Sequence, residues 1–521
     1  MKLTTHPSSI ARPESSGVRR RAGRRARRRD VLYDVLYDVP YDALYDVLSA
    51  VRYPCAAIIV WASLAFLIVQ PASAQAKEKT DLVATHGTVV TMGPDRRIIE
   101  DGAVAIRADS ILAVGKSAEI ESRYDASKII DAHGGIIMPG LINTHAHAGM
   151  SLFRGIADDL SLDEWLNKYI FPAEARNVTE DFVVWATRLS LLEMMRGGTT
   201  TYCDMYYFED AVARVTKEAG MRGVLAETII DFPAPDNKTL PQAYDYTQKF
   251  LDHWKGDPLI TAAVGPHSIY TLSEKTLQDS AALARRNQAP IAIHIAEAPF
   301  ELQLSREKHG ATPVAYLERI GLLGPDVIGA HCIWVDSADI AILTHFGVGC
   351  SHNPSSNMKT AAGVMPVVDM LAAGQAIGLA TDGAASNNNQ DMFEEMDLAA
   401  KLQKIARRDP RALPAPQVVE MATIGGARAL HLEKQIGSLE VGKKADLIVV
   451  ATGAPHDVPM YNVYSSIVYA QKAADVRTVV IAGKIVMEDR RILTLDEPQI
   501  LAKVEEYKKK VAASLAAPAA K

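Results

Sequence analysis

The sequence predicts an α/β protein, a (β/α)8 TIM barrel with a small β-sandwich domain built from both chain ends. Three observations predict it. The stretch 138–430 alternates short apolar runs with helical patterns, the texture of parallel βα units, and eight runs can be counted. The flanking blocks, 80–137 and 431–495, alternate apolar and polar positions between turn signals, as short antiparallel strands do. Histidines and carboxylates recur at the C-terminal ends of the apolar runs, where such a barrel gathers its chemistry.

Taken in order, residues 1–74 read as a leader. A basic block, "RRRAGRRARRR" (19–29), precedes a four-residue Tyr-Asp repeat (31–48) that Pro40 interrupts and that is assigned no function. The apolar run Ala56 to Val69 is too short to span a bilayer comfortably. It leads to Ala72-Ser73-Ala74, a small-x-small cleavage signal. A secretory signal peptide cut after Ala74 is expected, giving a secreted or periplasmic chain with no stable membrane span after cleavage. The net charge of −6 gives no reason to expect a nucleic-acid polymer as partner. Cys55, Cys203, Cys332 and Cys350 form no CxxC pair and no disulfide framework. A homo-oligomer acting on a small molecule is expected. Residues 496–521 close the chain as a helix and tail.

The eight runs are "GLINTHAH" (140–147), "GTTTYCDM" (198–205), "RGVLAETIID" (222–231), "LITAAVGPHS" (259–268), "IAIHIAE" (291–297), "VIGAHCI" (327–333), "GVGCSHNP" (347–354) and "AIGLATDG" (376–383). The first ends in His145 and His147, the fourth in His267, and the fifth in His294 with Glu297. The sixth ends in His331 and the eighth in Asp382. On a strand, residues i and i+2 point to one side, so His145 and His147 can aim at one ion. His345 is expected at the surface, His253 and His309 on solvent-facing helices, His352 in support of a loop, and Cys332 in the core.

The segments "PGLINTHAH", "GPHSIYT", "HIAEA", "AHCIWV", "SHNPSSNMK" and "TDGAASNNNQDMF" resemble the amidohydrolase superfamily. They are most similar to its aminohydrolase and chlorohydrolase branch, especially the 5-methylthioadenosine/S-adenosylhomocysteine deaminases. The resemblance covers nearly all of 80–495, with the motifs in the family's order. It implies one divalent metal, Zn²⁺ or Fe²⁺, held by His145, His147, His294 and Asp382. Binuclear relatives carry a bridging lysine at the end of strand four, where this chain reads "GPHS". The resemblance also implies that Asp382 takes a proton from the attacking water, that His331 orients that water, and that Glu297 carries a proton to the substrate ring. His267 would touch the substrate.

Glu174, in "FPAE", matches a family glutamate that hydrogen-bonds ribose hydroxyls, and a carboxylate suits a vicinal diol. Trp165 and Phe153 either line a purine pocket or pack a lid helix. Glu227 aligns where some relatives place an arginine for a charged substrate tail, and would repel a carboxylate there. Arg176 or a partner subunit's arginine is the alternative. The implied reaction is hydrolytic deamination of adenosine, 5-methylthioadenosine or S-adenosylhomocysteine. The alternatives are hydrolysis on another heteroaromatic ring (guanine, cytosine, a triazine) and a non-catalytic binding protein.

Overall fold

In the computed structural model, which describes residues 76–516, the N-terminal block forms β1 (Glu78–Val90), β2 (Ile98–Arg107), β3 (Ser110–Lys116), β4 (Tyr124–Asp131) and β5 (Ile136–Pro139). The leader and its cleavage signal lie outside the described residues. The period-two pattern of β1 works as read: Leu82 and Ala84 enter one apolar core, and Val83 between them enters another.

The barrel follows as β6 (Leu141–Ala146), β7 (Thr199–Tyr206), β8 (Arg222–Ile229), β9 (Ile260–Pro266), β10 (Ile291–Ile295), β11 (Val327–His331), β12 (Gly349–His352) and β13 (Ile377–Leu379). Each pairs in parallel with the next. Thr144 Oγ1 donates to Leu379 O at 3.0 Å, and a parallel bridge joins Ala146 to Asp382, so the eighth strand returns to the first. The strands are covered on both faces, which is why they read as continuous apolar runs rather than alternating ones.

The chain then returns to the small sheet as β14 (Leu447–Val450), β15 (Val476–Ile481), β16 (Lys484–Glu488) and β17 (Arg491–Ile492). Both chain ends meet in one nine-stranded sheet, with β14 antiparallel to β5. The sheet curls on itself: Ile111 N donates to Lys443 O at 2.8 Å, and Leu82, Ile106, Ile137, Leu447 and Val480 share one core. The sandwich thus takes the form of one rolled sheet. Not all its pairings are antiparallel. β1 runs parallel to β4 and β5, because the β2–β3 hairpin and the helix Ser117–Arg123 intervene and supply a crossover.

Gly140 joins the rolled sheet to the barrel; a Cβ there would stand 2.2 Å from the Thr200 side chain, so the close approach demands glycine. A helix closes the described chain, Glu497–Ala516, and no helix among the described residues is long and apolar enough to cross a membrane.

Candidate metal and substrate site

The C-terminal strand ends bring together two groups that share His145: His145, His147 and Asp382, and His145, His294 and His331, each with ligand atoms within 4.8 Å of one another. Asp382 Oδ1 lies 3.2 Å from His147 Nε2 and 3.5 Å from His145 Nε2. The ring centroids of His145 and His147 are 4.7 Å apart, and those of His145 and His294 are 4.9 Å apart. The other ring nitrogens are held from behind: His147 Nδ1 contacts Met205 O at 2.6 Å and His294 Nδ1 contacts His267 O at 2.9 Å. That pins both rings with Nε2 inward, the arrangement of a metal-ligating imidazole. His145 Nε2 is buried and makes no hydrogen bond. An orphaned nitrogen facing a carboxylate and two further imidazoles fits a divalent ion such as Zn²⁺.

The electrostatics agree with a site short of positive charge. Burial holds His294 well below the usual imidazole range, with His267 next in effect, and burial lowers His145 to about 4. Burial works the same way on His147, but the Asp382 carboxylate outweighs it and lifts the ring to about 9. Burial would raise Asp382, yet the neighbouring His145 and His147 rings keep it well below the ordinary carboxylate value. Asp382 and His331 both have a left-handed backbone, φ 61° and 73°, conformations that non-glycine residues adopt at a cost and that cluster at functional sites.

Glu297 stands beside the second of these groups, with its Oε1 3.6 Å from His331 Nε2. The His331 Nδ1 is 3.0 Å from both the Asn357 and Asn353 side-chain amides, which orient the ring. Burial raises the Glu297 carboxyl above its usual value, so it keeps its proton to higher pH than an exposed glutamate. His267 lies beside His294, centroids 4.8 Å apart, with its Nδ1 engaged by Ser268 and Thr271.

A helical lid covers the mouth over residues 162–177. Its middle turn, Trp165–Ile170, is wound as a π-helix, and Phe171–Asn177 carries Glu174. Glu174 is buried and its Oε1 accepts from the Tyr206 hydroxyl at 2.7 Å. Gly149 makes that possible: a Cβ there would stand 2.3 Å from the Tyr206 ring. Burial lifts the Glu174 carboxyl to about 7, against the Tyr206 hydrogen bond. The space under the lid is about 60 Å³, room for about two waters at ~30 Å³ each. His147, Glu174, Thr228, His267, Glu297 and Asp382 are among its walls, together with Trp165.

Some expectations need correction. Glu227 does not face the site. Strand alternation turns Thr228 inward, and Glu227 accepts from the Glu209 N–H on the far side. Arg176 donates to Ser514 O on the C-terminal helix and does not line the cavity. Phe153 packs on Phe182 in the core. His352 lies in β12, buried, with neither ring nitrogen bonded, so it supports no loop by hydrogen bonding. His345 and His253 are exposed as expected, but His309 is half-buried and stacks on Tyr316. Cys332 is core, with its Sγ 3.7 Å from that of Cys350.

Sequence reasoning missed the supports. Ser356 and Ser386 Oγ donate to Asp382 Oδ2 at 2.6 and 3.0 Å. Glu301 accepts from the N–H groups of Ala296 and Glu297 at 3.0 and 2.8 Å, fixing the loop that presents Glu297. The "SHNPSSN" segment contains Asn353, Ser356 and Asn357, and only its return toward β11 would have exposed their role.

A parallel barrel whose strand ends gather imidazoles and a carboxylate defines a class, the metal-site (β/α)8 barrels. The chain belongs to the amidohydrolase family, whose profile matches residues 136–486. It is 48% identical over 426 residues to a 5-methylthioadenosine/S-adenosylhomocysteine deaminase of Syntrophobacter fumaroxidans, covering 82% of this chain and 97% of that one. It is 43% identical over 424 residues to a 5'-deoxyadenosine deaminase of Methanosarcina acetivorans, covering 81% and 96%. A zinc-bound adenosine deaminase of Xanthomonas campestris superposes with a TM-score of 0.83 at 36% identity, covering 84% of this chain and all of that one.

Proposed function

We propose that this protein is a metal-dependent hydrolytic deaminase of adenosine-type nucleosides. The observation that carries the reading is the convergence of His145, His147, His294 and Asp382 with Glu297 and His331 beneath a lid that lowers Glu174 into the same cavity. The identity to nucleoside deaminases over most of both chains supports it. A free-base or triazine substrate would have no diol to occupy Glu174.

His145, His147, His294 and Asp382 would hold one divalent ion, most reasonably Zn²⁺. A bound divalent ion supplies Lewis acidity, which lets a water ionise near pH ~7. Glu174 accepts the two ribose hydroxyls and so fixes the base with its amine-bearing carbon toward Asp382. Glu297 takes one proton from the water and delivers it to the ring nitrogen beside that carbon as the water oxygen attacks it. His331 Nε2 hydrogen-bonds the same oxygen and stabilises its charge. Asp382 passes the remaining hydroxyl proton to the amine, the C–N bond breaks, and ammonia leaves with a ring carbonyl behind. His267 packs against the base.

The lining of the cavity contains no lysine or arginine. Adenosine and 5-methylthioadenosine are therefore the preferred substrates over S-adenosylhomocysteine, whose tail carboxylate seeks a bidentate arginine. We further propose that the mature chain starts near Gln75 and is secreted or periplasmic, which N-terminal sequencing of native protein decides, and that it forms a homo-oligomer, which light scattering decides.

The test combines metal analysis with ammonia release from a nucleoside panel. His294→Ala should lose metal and turnover together. Glu297→Gln should keep the metal and lose turnover by about 10²-fold or more. Loss of metal from Glu297→Gln would overturn the division between ligand and proton carrier.

A further inference from the structure

Two segments carry the hydroxyl and amide groups that bear on Asp382 and His331. The segment after β12 supplies Ser356 and Asn357, and the loop after β13 supplies Ser386. Both segments are tied to a single buried side chain, Glu395. We propose that Glu395 is a positioning residue for the reaction: it clamps the two segments in register and so sets how Asp382 and His331 are aimed. The inference rests on the deaminase reading above and deepens it.

Glu395 lies in the first turn of the helix Met392–Arg407 and is fully buried. Its buried neighbours on that helix include Met392, Phe393, Met396 and Ala399. A carboxylate in such a layer costs free energy that a leucine would not, unless its oxygens are bonded. Both are. Glu395 Oε2 accepts from the Ser355 N–H at 3.1 Å, and Oε1 accepts from Asn387 Nδ2 at 3.0 Å. Burial still pushes the carboxyl up to about 8, against the pull of both donors.

The clamp reaches the site in one step on each side. Ser355 is followed by Ser356, whose Oγ donates to Asp382 Oδ2 at 2.6 Å, and then by Asn357 on the His331 ring. On the other side, Asn387 Nδ2 also donates to Thr381 O at 2.8 Å, one residue before Asp382. Asn387 directly follows Ser386, whose Oγ donates to Asp382 Oδ2. The segments meet at the Ser356–Ser386 contact of 3.1 Å. Asp382 Oδ2 is thereby held from both, which leaves Oδ1 toward His145 and His147. The left-handed backbone of Asp382 and His331 persists only where its surroundings over-determine it, and the clamp supplies part of that determination. Glu395 is not part of the cavity wall, so its effect on the reaction passes through these two segments.

The experiment compares the wild type with Glu395→Gln, Glu395→Leu and Asn387→Ala at saturating Zn²⁺, then repeats the set with Co²⁺ to read the visible absorption of the metal. Leucine fills the layer but leaves the Ser355 N–H and the Asn387 amide without their acceptor. Glu395→Leu should lower kcat for adenosine by about tenfold or more with KM held within about twofold, the scale of an outer partner to a metal site. It should also shift the Co²⁺ bands, because Asp382 turns. Glu395→Gln keeps one carbonyl for the Ser355 N–H and should fall between. Asn387→Ala breaks the other half of the same clamp and tests it even if Glu395→Leu does not fold. Combined with Glu395→Leu it should add little further loss, as groups acting as one unit do. A fall in kcat with unmoved bands would assign Glu395 to stability alone and overturn the clamp. Unchanged kcat and bands in folded variants would overturn it too, and both results leave the deaminase reading standing. A metal-loaded wild type that deaminates no nucleoside would overturn that reading, while the Co²⁺ bands would still decide whether Glu395 aims Asp382.

Discussion

Glu174 is the residue whose ionisation the substrate should feel. Burial lifts its carboxyl to about 7, so it is charged above that pH and protonated below it. Only the carboxylate accepts hydrogen bonds from both ribose hydroxyls; the acid form donates one proton and loses an acceptor. KM for adenosine should therefore rise as pH falls, by about tenfold between pH ~8 and ~6, the scale of one hydrogen bond to a charged group. KM for 2′,3′-dideoxyadenosine should stay flat over the same range. Parallel profiles for the two compounds would show that Glu174 does not read the diol. At this scale the sequence was informative where chemistry restricts the residue type. Imidazoles and carboxylates at strand ends stand out, which made His145, His147, His294 and Asp382 visible before any fold. Ser356, Ser386 and Asn357 were not visible, because serine and asparagine occur everywhere and their value here lies in hydrogen bonds to residues 26 to 30 positions away. Glu227 misled for a different reason: a one-residue shift along β8 reverses the facing of every side chain, and here Thr228 is the inward one.

Among the elements, the lid is the one that must move. A space of about 60 Å³ under 162–177 cannot hold a nucleoside, since pockets for ligands of that size run to about 300 Å³ or more. The C-terminal helix restrains this movement at the lid's end. Arg176 Nη1 donates to Ser514 O at 3.1 Å and Asn177 Nδ2 to Ser514 Oγ at 2.7 Å. Tyr507 anchors the same helix to Asp181 at the start of the next one. Replacing Arg176 and Asn177 together by alanine should release the latch. KM for adenosine should rise severalfold with a smaller change in kcat, and hydrogen exchange should quicken in 162–177. Unchanged exchange there would show that the contacts are incidental. The eight barrel strands were legible because two-sided burial leaves an apolar run in each. The π-wound turn at Trp165–Ile170 was not, because the 3.6-residue period used to read a helix breaks down where the winding changes.

For the whole molecule, the question is why both chain ends should build one sheet beside the barrel. The answer converges on Asp446. Its carboxylate receives the Arg222 guanidinium at 3.0 and 3.3 Å, from the first residue of β8, and the Ala482 N–H at 2.6 Å, from the end of β15. Its carbonyl receives the Gly140 N–H at 3.1 Å, at the junction of β5 and β6. One residue thus ties the barrel floor, the N-terminal strands and the returning C-terminal strands, with both charged partners buried. Charge composition could not reveal this pair, since an arginine and an aspartate 224 residues apart carry no local pattern. A buried ion pair adds little over a well-packed apolar pair, but removing one partner strands the other charge and typically costs about 3–5 kcal/mol. Asp446→Ala should therefore lower the denaturant midpoint by that much stability. Because the tie spans both parts, far-ultraviolet and near-ultraviolet signals should still fall in one transition if sheet and barrel unfold together. Asp446→Asn keeps the acceptor for Ala482 and should lose less. A loss under about 1 kcal/mol in Asp446→Ala would mean that apolar packing alone joins the two parts, and two separated transitions would mean that Asp446 is the joint on which their cooperativity depends.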